Sequence, residues 1–427
     1  MKKILRYVIL LDRQSRSFGF IKDDGRRAFA ERIRLVFGRL RTGRNRKPCM
    51  ANIFHAIFAF LLMSGFPLTL LAQDTINAGE KDSYWRRLFN GHIDRTFEKK
   101  LDVSFIAAPS YTREASFGLG GAATGLYRTD RTNLLMPPSD ITITANVSVN
   151  GFFSLSATGN NNFKGNRSSL AYQISFFNKN ADFWGINFDD CEINPKIGYR
   201  RQTVKIYADY RYELYKYFYV GGTLDYLYTN AAKIDDETYL LGQLRTYTTT
   251  GFGLTLQHDT RDFIPNPQKG MYFLLRQTVY PGNYGNTNRT LLRTTFIANF
   301  YPRLWKSAIL AFDIYGQISS NNLPWTLMEE LGGNIRMRGY YRGRYVDNNI
   351  ATVQAELRQH IYKRLGFAGW IGCGTVFPSI KQFDVNELLP NYGLGLRIEI
   401  KHNVNARIDF GMGKQTRGFV FGINEAF

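Results

Sequence analysis

From residue 101 to the end, the chain alternates apolar and polar positions with a period of two, and a helical period is almost absent. In Val204 to Tyr215 the even positions hold Val, Ile, Ala, Tyr, Tyr and Leu, while the odd ones hold Lys, Tyr, Asp, Arg, Glu and Tyr. Successive side chains of a strand point to opposite faces, so this is a strand with one apolar and one charged face. Thr352 to Ile361 repeats the pattern, with Thr352, Gln354, Glu356, Arg358 and His360 on the polar side. Val404 to Met412 does so again, setting Asn405, Arg407 and Asp409 against Val404, Ala406, Ile408, Phe410 and Met412.

Alternation alone fits both a soluble sandwich and a membrane barrel. Three features favour the barrel. The strands are about ten residues long, as a tilted crossing of a bilayer requires. The aromatic content of 15% suits interfacial girdles. The final segment, GFVFGINEAF, sets Phe419, Phe421 and Phe427 on one predicted face, resembling the terminal strand signal by which outer-membrane barrels are recognised for assembly. Lipid forbids open sheet edges, so the strands must close. The expected fold is all-β, a transmembrane antiparallel β-barrel of about 16 strands over residues 101–427, with an aqueous interior. No cofactor is expected.

Charge changes the picture mainly at the N-terminus. Residues 1–49 hold fifteen of the Lys and Arg against four Asp and Glu, a net of +11 out of the formal +20, leaving +9 for the rest. A non-ionic run from Met50 to Ala72 follows, which reads as a signal peptide cleaved after Ala72, with a membrane-spanning anchor as the alternative. Residues 1–72 are thus expected to be a basic leader and signal, and the chain an outer-membrane protein facing anionic lipid or lipopolysaccharide. Residues 73–100 are expected to form a short periplasmic segment, in which Tyr84, Trp85, Leu88, Phe89, Ile93 and Phe97 recur at roughly helical spacing.

The densest charge in the barrel region is NIRMRGYYRGRYVDNN, Asn334 to Asn349, with four arginines and two glycines. Arg-Gly segments are common in disordered RNA-binding tails. Here the segment lies between the eleventh and twelfth predicted strands, where a long loop can fold into the lumen, and no nucleic-acid partner is expected. Met337, Arg338, Gly339 and Tyr340 resemble the Val-Arg-Gly-Phe/Tyr motif in the sixth extracellular loop of the BamA and TamA superfamily, the bacterial surface antigen family. Glu356-Leu357-Arg358 is similar to that family's Glu-x-Arg, whose glutamate pairs with the loop arginine. His258 to Gly270 resembles its Asp-x-Arg-Asp turn, with Asp259, Arg261, Asp262, Pro267 and Gly270 in place.

The resemblance implies a factor that inserts or translocates proteins at a lateral seam between the first and last strands, with nascent barrel proteins as partners. A passive pore or a lipid- or partner-binding scaffold is the alternative. Two departures stand out. Where the family carries a second carboxylate in Phe-x-Asp-x-Gly, this chain reads Trp370-Ile371-Gly372-Cys373-Gly374, so Arg338 is expected to rely on Glu356 alone. Residues 73–100 are also too few for a POTRA domain.

The chemistry of catalysis is not legible. The histidines (His55, His92, His258, His360, His402) show no spacing to a serine nucleophile, and GLGGAATG at 118–125 lies on a strand with no following helix. The Asp259 to Asp262 run supplies its own countercharge and too few oxygens for a hard cation, so no metal site and no enzyme are expected.

Overall fold

The computed structural model describes residues 96–97, 100–112, 116–133, 136–264, 266–401 and 404–427. The leader, the signal and most of the 73–100 segment lie outside these residues. Everything described belongs to one unit, Asp82–Phe427.

The strands form an antiparallel meander. β1 (Asp102–Thr112), β2 (Ser116–Tyr127), β3 (Ser139–Ser148) and β4 (Phe153–Asn162) open it. The longest follow: β5 (Ser168–Phe183), β6 (Ile197–Tyr215), β7 (Phe218–Ala232) and β8 (Thr246–Asp259). Next are β9 (Met271–Tyr280), β10 (Leu291–Phe300), the three-residue β11 (Arg303–Trp305) and β12 (Ala308–Ser319). After a long loop holding β13 (Glu329–Glu330) and β14 (Val346–Asp347), the chain returns as β15 (Asn349–Tyr362) and β16 (Leu365–Phe377). β17 (Leu389–Lys401), β18 (Val404–Gly413) and β19 (Thr416–Ile423) complete it.

Each long strand pairs with its sequence neighbours, from β1 with β2 through to β18 with β19. Sixteen strands are therefore long, as the alternation predicts; β11 is a spur in the β10–β12 turn, paired with β12. Strand ends differ from the sequence reading where turn chemistry decides. β3 ends at Ser148 rather than 150, because Gly151 turns with φ 80°. Among the described residues no ladder joins β1 to β19. No helix of the described residues is long and apolar enough to cross a membrane.

The usual distribution of polarity is inverted. Phe117, Leu119, Ile143, Ile174, Leu254, Ile371, Leu394 and Phe421 are among many large apolar side chains that face outward and exposed. Buried positions of the strands lying among theirs are polar: Asp209 on β6, Gln354, Glu356 and Arg358 on β15, and Arg407 and Asp409 on β18. That is a surface made for hydrocarbon outside and water or ions inside.

A conventional apolar core exists, but at one end. The long loop, 320–348, packs Leu323, Trp325, Leu327, Leu331, Tyr345 and Val346 against Phe183, Tyr199 and the helix α1 (Phe188–Ile193). Phe188 stacks on Tyr345 at 5.1 Å, and Trp325 meets Tyr199 edge-on at 6.0 Å. The Trp325 indole N–H donates to the Leu244 carbonyl at 2.9 Å, and Glu330 pairs with Arg201 and with Arg342, the latter at 3.1 Å. Lys414, in the β18–β19 turn, reaches Glu192 of α1 at 2.5 Å. The loop-side mouth is thus capped.

Candidate functional site

The alternation of β15 aims Glu356 and Arg358 into the lumen, and that of β18 aims Arg407 and Asp409 at them from three strands away. The long loop descends between these walls. Its tip needs two left-handed residues, Met337 at φ 50° and Gly339 at φ 99°. Only glycine fits at the second, because an added Cβ would lie 2.4 Å from the Gly411 carbonyl oxygen. The relation is mutual, since a Cβ on Gly411 would lie 2.1 Å from the Arg338 carbonyl oxygen. β18 is notched with glycines so that the loop backbone can rest on it.

Arg338 is fully buried. Its Nη2 donates to Glu356 Oε2 at 2.6 Å and its Nη1 to Asp409 Oδ2 at 2.8 Å. Its guanidinium carbon lies 3.6 Å from the centre of the Trp370 ring, a buried cation–π contact. The second carboxylate that the sequence reading found missing is therefore present, on β18 instead of β16. Gly372 cannot regain it in the present geometry, because a Cβ there would lie 2.5 Å from the Val353 carbonyl oxygen. The expectation that Arg338 relies on Glu356 alone is corrected.

The rest of the motif is anchored as well. Met337 is buried. Asn391 Nδ2 donates to the Arg338 carbonyl at 2.5 Å, and Thr416 Oγ1 to the Gly339 carbonyl at 2.8 Å. The Tyr340 hydroxyl donates to the Pro390 carbonyl at 2.8 Å and accepts from the Lys414 N–H at 2.7 Å.

Around Arg338 the ion pairs continue. Arg358 Nε donates to Glu356 Oε1 at 2.8 Å, Arg397 Nη1 to Asp409 Oδ1 at 2.5 Å, and Arg407 Nη1 to Asp409 Oδ2 at 2.7 Å. Glu425 accepts from Arg397 Nε at 2.8 Å. A neighbouring pair forks Arg336 onto Asp313 at 2.7 and 2.8 Å. Sequence reasoning singled out Glu356 and Arg358 but passed over Asp409, Arg397, Glu425, Asn391 and Trp370. Asp409 already stood on the polar face of its strand; the strand's distance from the loop was the unknown.

Phe419 and Phe421 project outward from β19 and stack at 6.5 Å. Phe427 does not join them. The ladder stops at Ile423, Asn424 turns with φ 69°, and Arg358 Nη2 donates to the Phe427 carbonyl at 2.8 Å, with its guanidinium 5.1 Å from the Phe427 ring. A period-two reading carried past the end of the strand placed this ring on the wrong face.

The turn network lies at the other end. Arg261 forks onto Asp259 at 2.9 and 2.6 Å and covers the Tyr272 ring at 4.1 Å. Asp262 accepts the N–H groups of Phe263, Gln268 and Lys269, so its carboxylate closes the turn. Pro267 is buried, and Gly270, at φ 98°, leaves no space for a Cβ beside the Thr260 carbonyl.

Comparison with known proteins agrees with this geometry. No curated protein sequence matches the chain. Among solved structures, BamA from Haemophilus ducreyi lacking POTRA domains 1-3 superposes with a TM-score of 0.52 at 11% identity, covering 76% of this chain and 70% of that one. CdiB from Escherichia coli gives 0.54 at 12%, covering 76% and 62%, and CdiB from Acinetobacter baumannii 0.51 at 14%, covering 77% and 60%. The chain thus spans about 60 to 70% of the length of these barrels. The Omp85 superfamily domain matches residues 138–427, taking in every strand from β3 and the whole loop motif. The chain is an outer-membrane β-barrel and belongs to the Omp85 superfamily.

Proposed function

We propose that the protein inserts or translocates polypeptides at the seam between β1 and β19, without side-chain catalysis. The observation that carries this reading is the unladdered pair of strands combined with a capped mouth. An exposed strand edge offers a row of backbone donors and acceptors, and an incoming strand satisfies them by β-augmentation. A closed mouth makes lateral exit the easier route for a chain within the lumen.

Two further features support it. The loop tip is bonded to Asp409 on β18 and to Thr416 on β19, so it holds the last hairpin from inside. The lumenal face of β3 and β4, two and three strands from β1, carries Thr142, Thr144, Asn146, Ser154, Ser156 and Thr158, opposite the exposed Ile143, Val147 and Leu155. Short uncharged hydroxyls and amides let a polypeptide backbone pass without stripping water from ions. The pore reading fares worse, because the apolar cap crosses its path.

Depletion in the native host, followed by quantification of the outer-membrane proteome before growth fails, tests the proposal. Selective loss of other barrel or exported proteins is expected. An unchanged set overturns it and leaves a scaffold role.

A further inference from the structure

The two rims of the barrel differ in how their charge is arranged: mixed and partly paired on one side, basic and unpaired on the other. Short turns of outer-membrane barrels face the periplasm and long loops face outward. Four successive turns on the short side, 216–217, 260–270, 301–307 and 363–364, expose Lys216, Lys269, Arg303, Lys306, Lys363 and Arg364. Among the described residues none of these six forms an ion pair. The exposed acid in these turns, Asp262, is bound to three backbone N–H groups. Glu213, close by on β6, likewise accepts the Tyr217 N–H at 2.9 Å.

The cations are interleaved with exposed amphipathic side chains. Trp305 and Tyr362 are 52% and 62% exposed, and the Lys216 and Lys363 ammonium groups each lie 5.1 Å from a neighbouring ring, Tyr217 and Tyr362. Rings of this kind settle at the headgroup level of a bilayer, which places the adjacent ammonium and guanidinium groups among the phosphates. On the loop side the charges are mixed and partly paired: Asp189, Asp235, Asp236, Glu237 and Asp384 are exposed there beside Lys196, Lys233, Arg245, Arg289, Lys381 and Lys414, with Arg245 on Glu237, Lys196 on Asp182 and Lys414 on Glu192.

We infer that the basic rim formed by these four turns binds the phosphodiester headgroups of anionic phospholipid in the periplasmic leaflet. Each cation near an anionic surface contributes on the order of 1 kcal/mol, or about fivefold in binding. Six of them, spread along the turns between β6 and β16, would gather a local belt of anionic lipid. Such a belt anchors the wall running from β6 to β16, opposite the seam, whether or not the seam opens.

The test is native mass spectrometry of lipid retained by the full chain after reconstitution into phosphatidylethanolamine bilayers holding a minor fraction of phosphatidylglycerol. Phosphatidylglycerol should be enriched over its bulk share. Lys216→Gln/Lys306→Gln/Lys363→Gln/Arg364→Gln should reduce that enrichment at least ~fivefold, and the charge-keeping variant with Arg at the three lysines and Lys at Arg364 should restore it. A loop-side control, Lys233→Gln/Arg289→Gln/Lys381→Gln, should leave it unchanged. No enrichment in the wild type, enrichment surviving in the turn variant, or equal loss in the loop-side control would each overturn the inference. So would loss of a co-purifying acidic periplasmic protein from the turn variant with lipid enrichment intact.

Discussion

Arg338 Nη1 lies 2.8 Å from Asp409 Oδ2, across 71 positions of sequence, and both side chains are fully buried. The bond ties the tip of an inward loop to the strand next to the barrel's last. Glu356 completes a two-carboxylate clamp.

Removing the arginine leaves two carboxylates facing each other without their shared cation. Breaking a buried pair in this way costs about 3–5 kcal/mol. Arg338→Ala should therefore release the loop, read as faster protease cleavage within 320–348 in intact cells. Arg338→Lys should recover only part of the protection, because a point charge cannot fork to both partners. Equal cleavage in wild type and Arg338→Ala would show that the clamp does not hold the loop.

Gly411→Ala should produce the same release with every ion pair still available. Its Cβ would lie 2.1 Å from the Arg338 carbonyl oxygen, so the loop tip must lift away. Combined with Arg338→Ala the effects should be less than additive, since both abolish one docking event. Fully additive protease rates would mean that the two residues act separately.

Asp409→Asn should weaken the clamp, and Gly372→Asp should not rescue it. The new carboxylate would start from a Cβ 2.5 Å from the Val353 carbonyl oxygen, so β16 would have to shift before it could reach Arg338. Restored protease resistance in the double variant would refute the assignment of Asp409 as the second partner.

The cap should respond to pH. Burial pushes the Asp347 carboxyl from 3.8 up to about 6, with the Asn348 N–H opposing and the Glu387 charge adding to the rise. A raised folded-state value means that the folded cap holds a proton the open one releases. The burial penalty is therefore absent below about pH 4, grows through 4 to 6 and is complete above. Glu330 has the opposite sign: burial resists, but Arg201, Arg342 and Lys179 together hold it at about 2, so its contribution is lost only below about pH 4.5. Between pH 7.5 and 5, Asp347 dominates. Hydrogen exchange in 320–348, corrected for intrinsic rates, should slow at pH 5, and Asp347→Asn should slow it by roughly tenfold at pH 7.5 and flatten the profile. A profile unaltered by that substitution would exclude Asp347 as the titrating group.

The capped mouth sets an electrical expectation. Wild-type protein in planar bilayers should conduct little, and Trp325→Ala/Glu330→Ala, which removes the indole bond to Leu244 and the ion pair to Arg201, should raise conductance several-fold. High conductance in the wild type would favour a pore.

The sequence by itself determined which residues face lipid and which face inward, because a strand's period is fixed by backbone geometry and needs no partner. It therefore yielded sixteen long strands, the inward Glu356 and Asp409, and a loop arginine in search of a carboxylate. Only the tertiary structure decided that Asp409 on β18, and not a residue on β16, is the second partner. Strand curvature and loop descent set that distance, and neither is written in local alternation. The same limit explains Phe427: periodicity holds only while the ladder continues, and Asn424 ends it. The cap over the mouth, built from α1, the long loop and the ends of β5 and β6, was equally illegible, because its apolar residues pack across separations that no local pattern records.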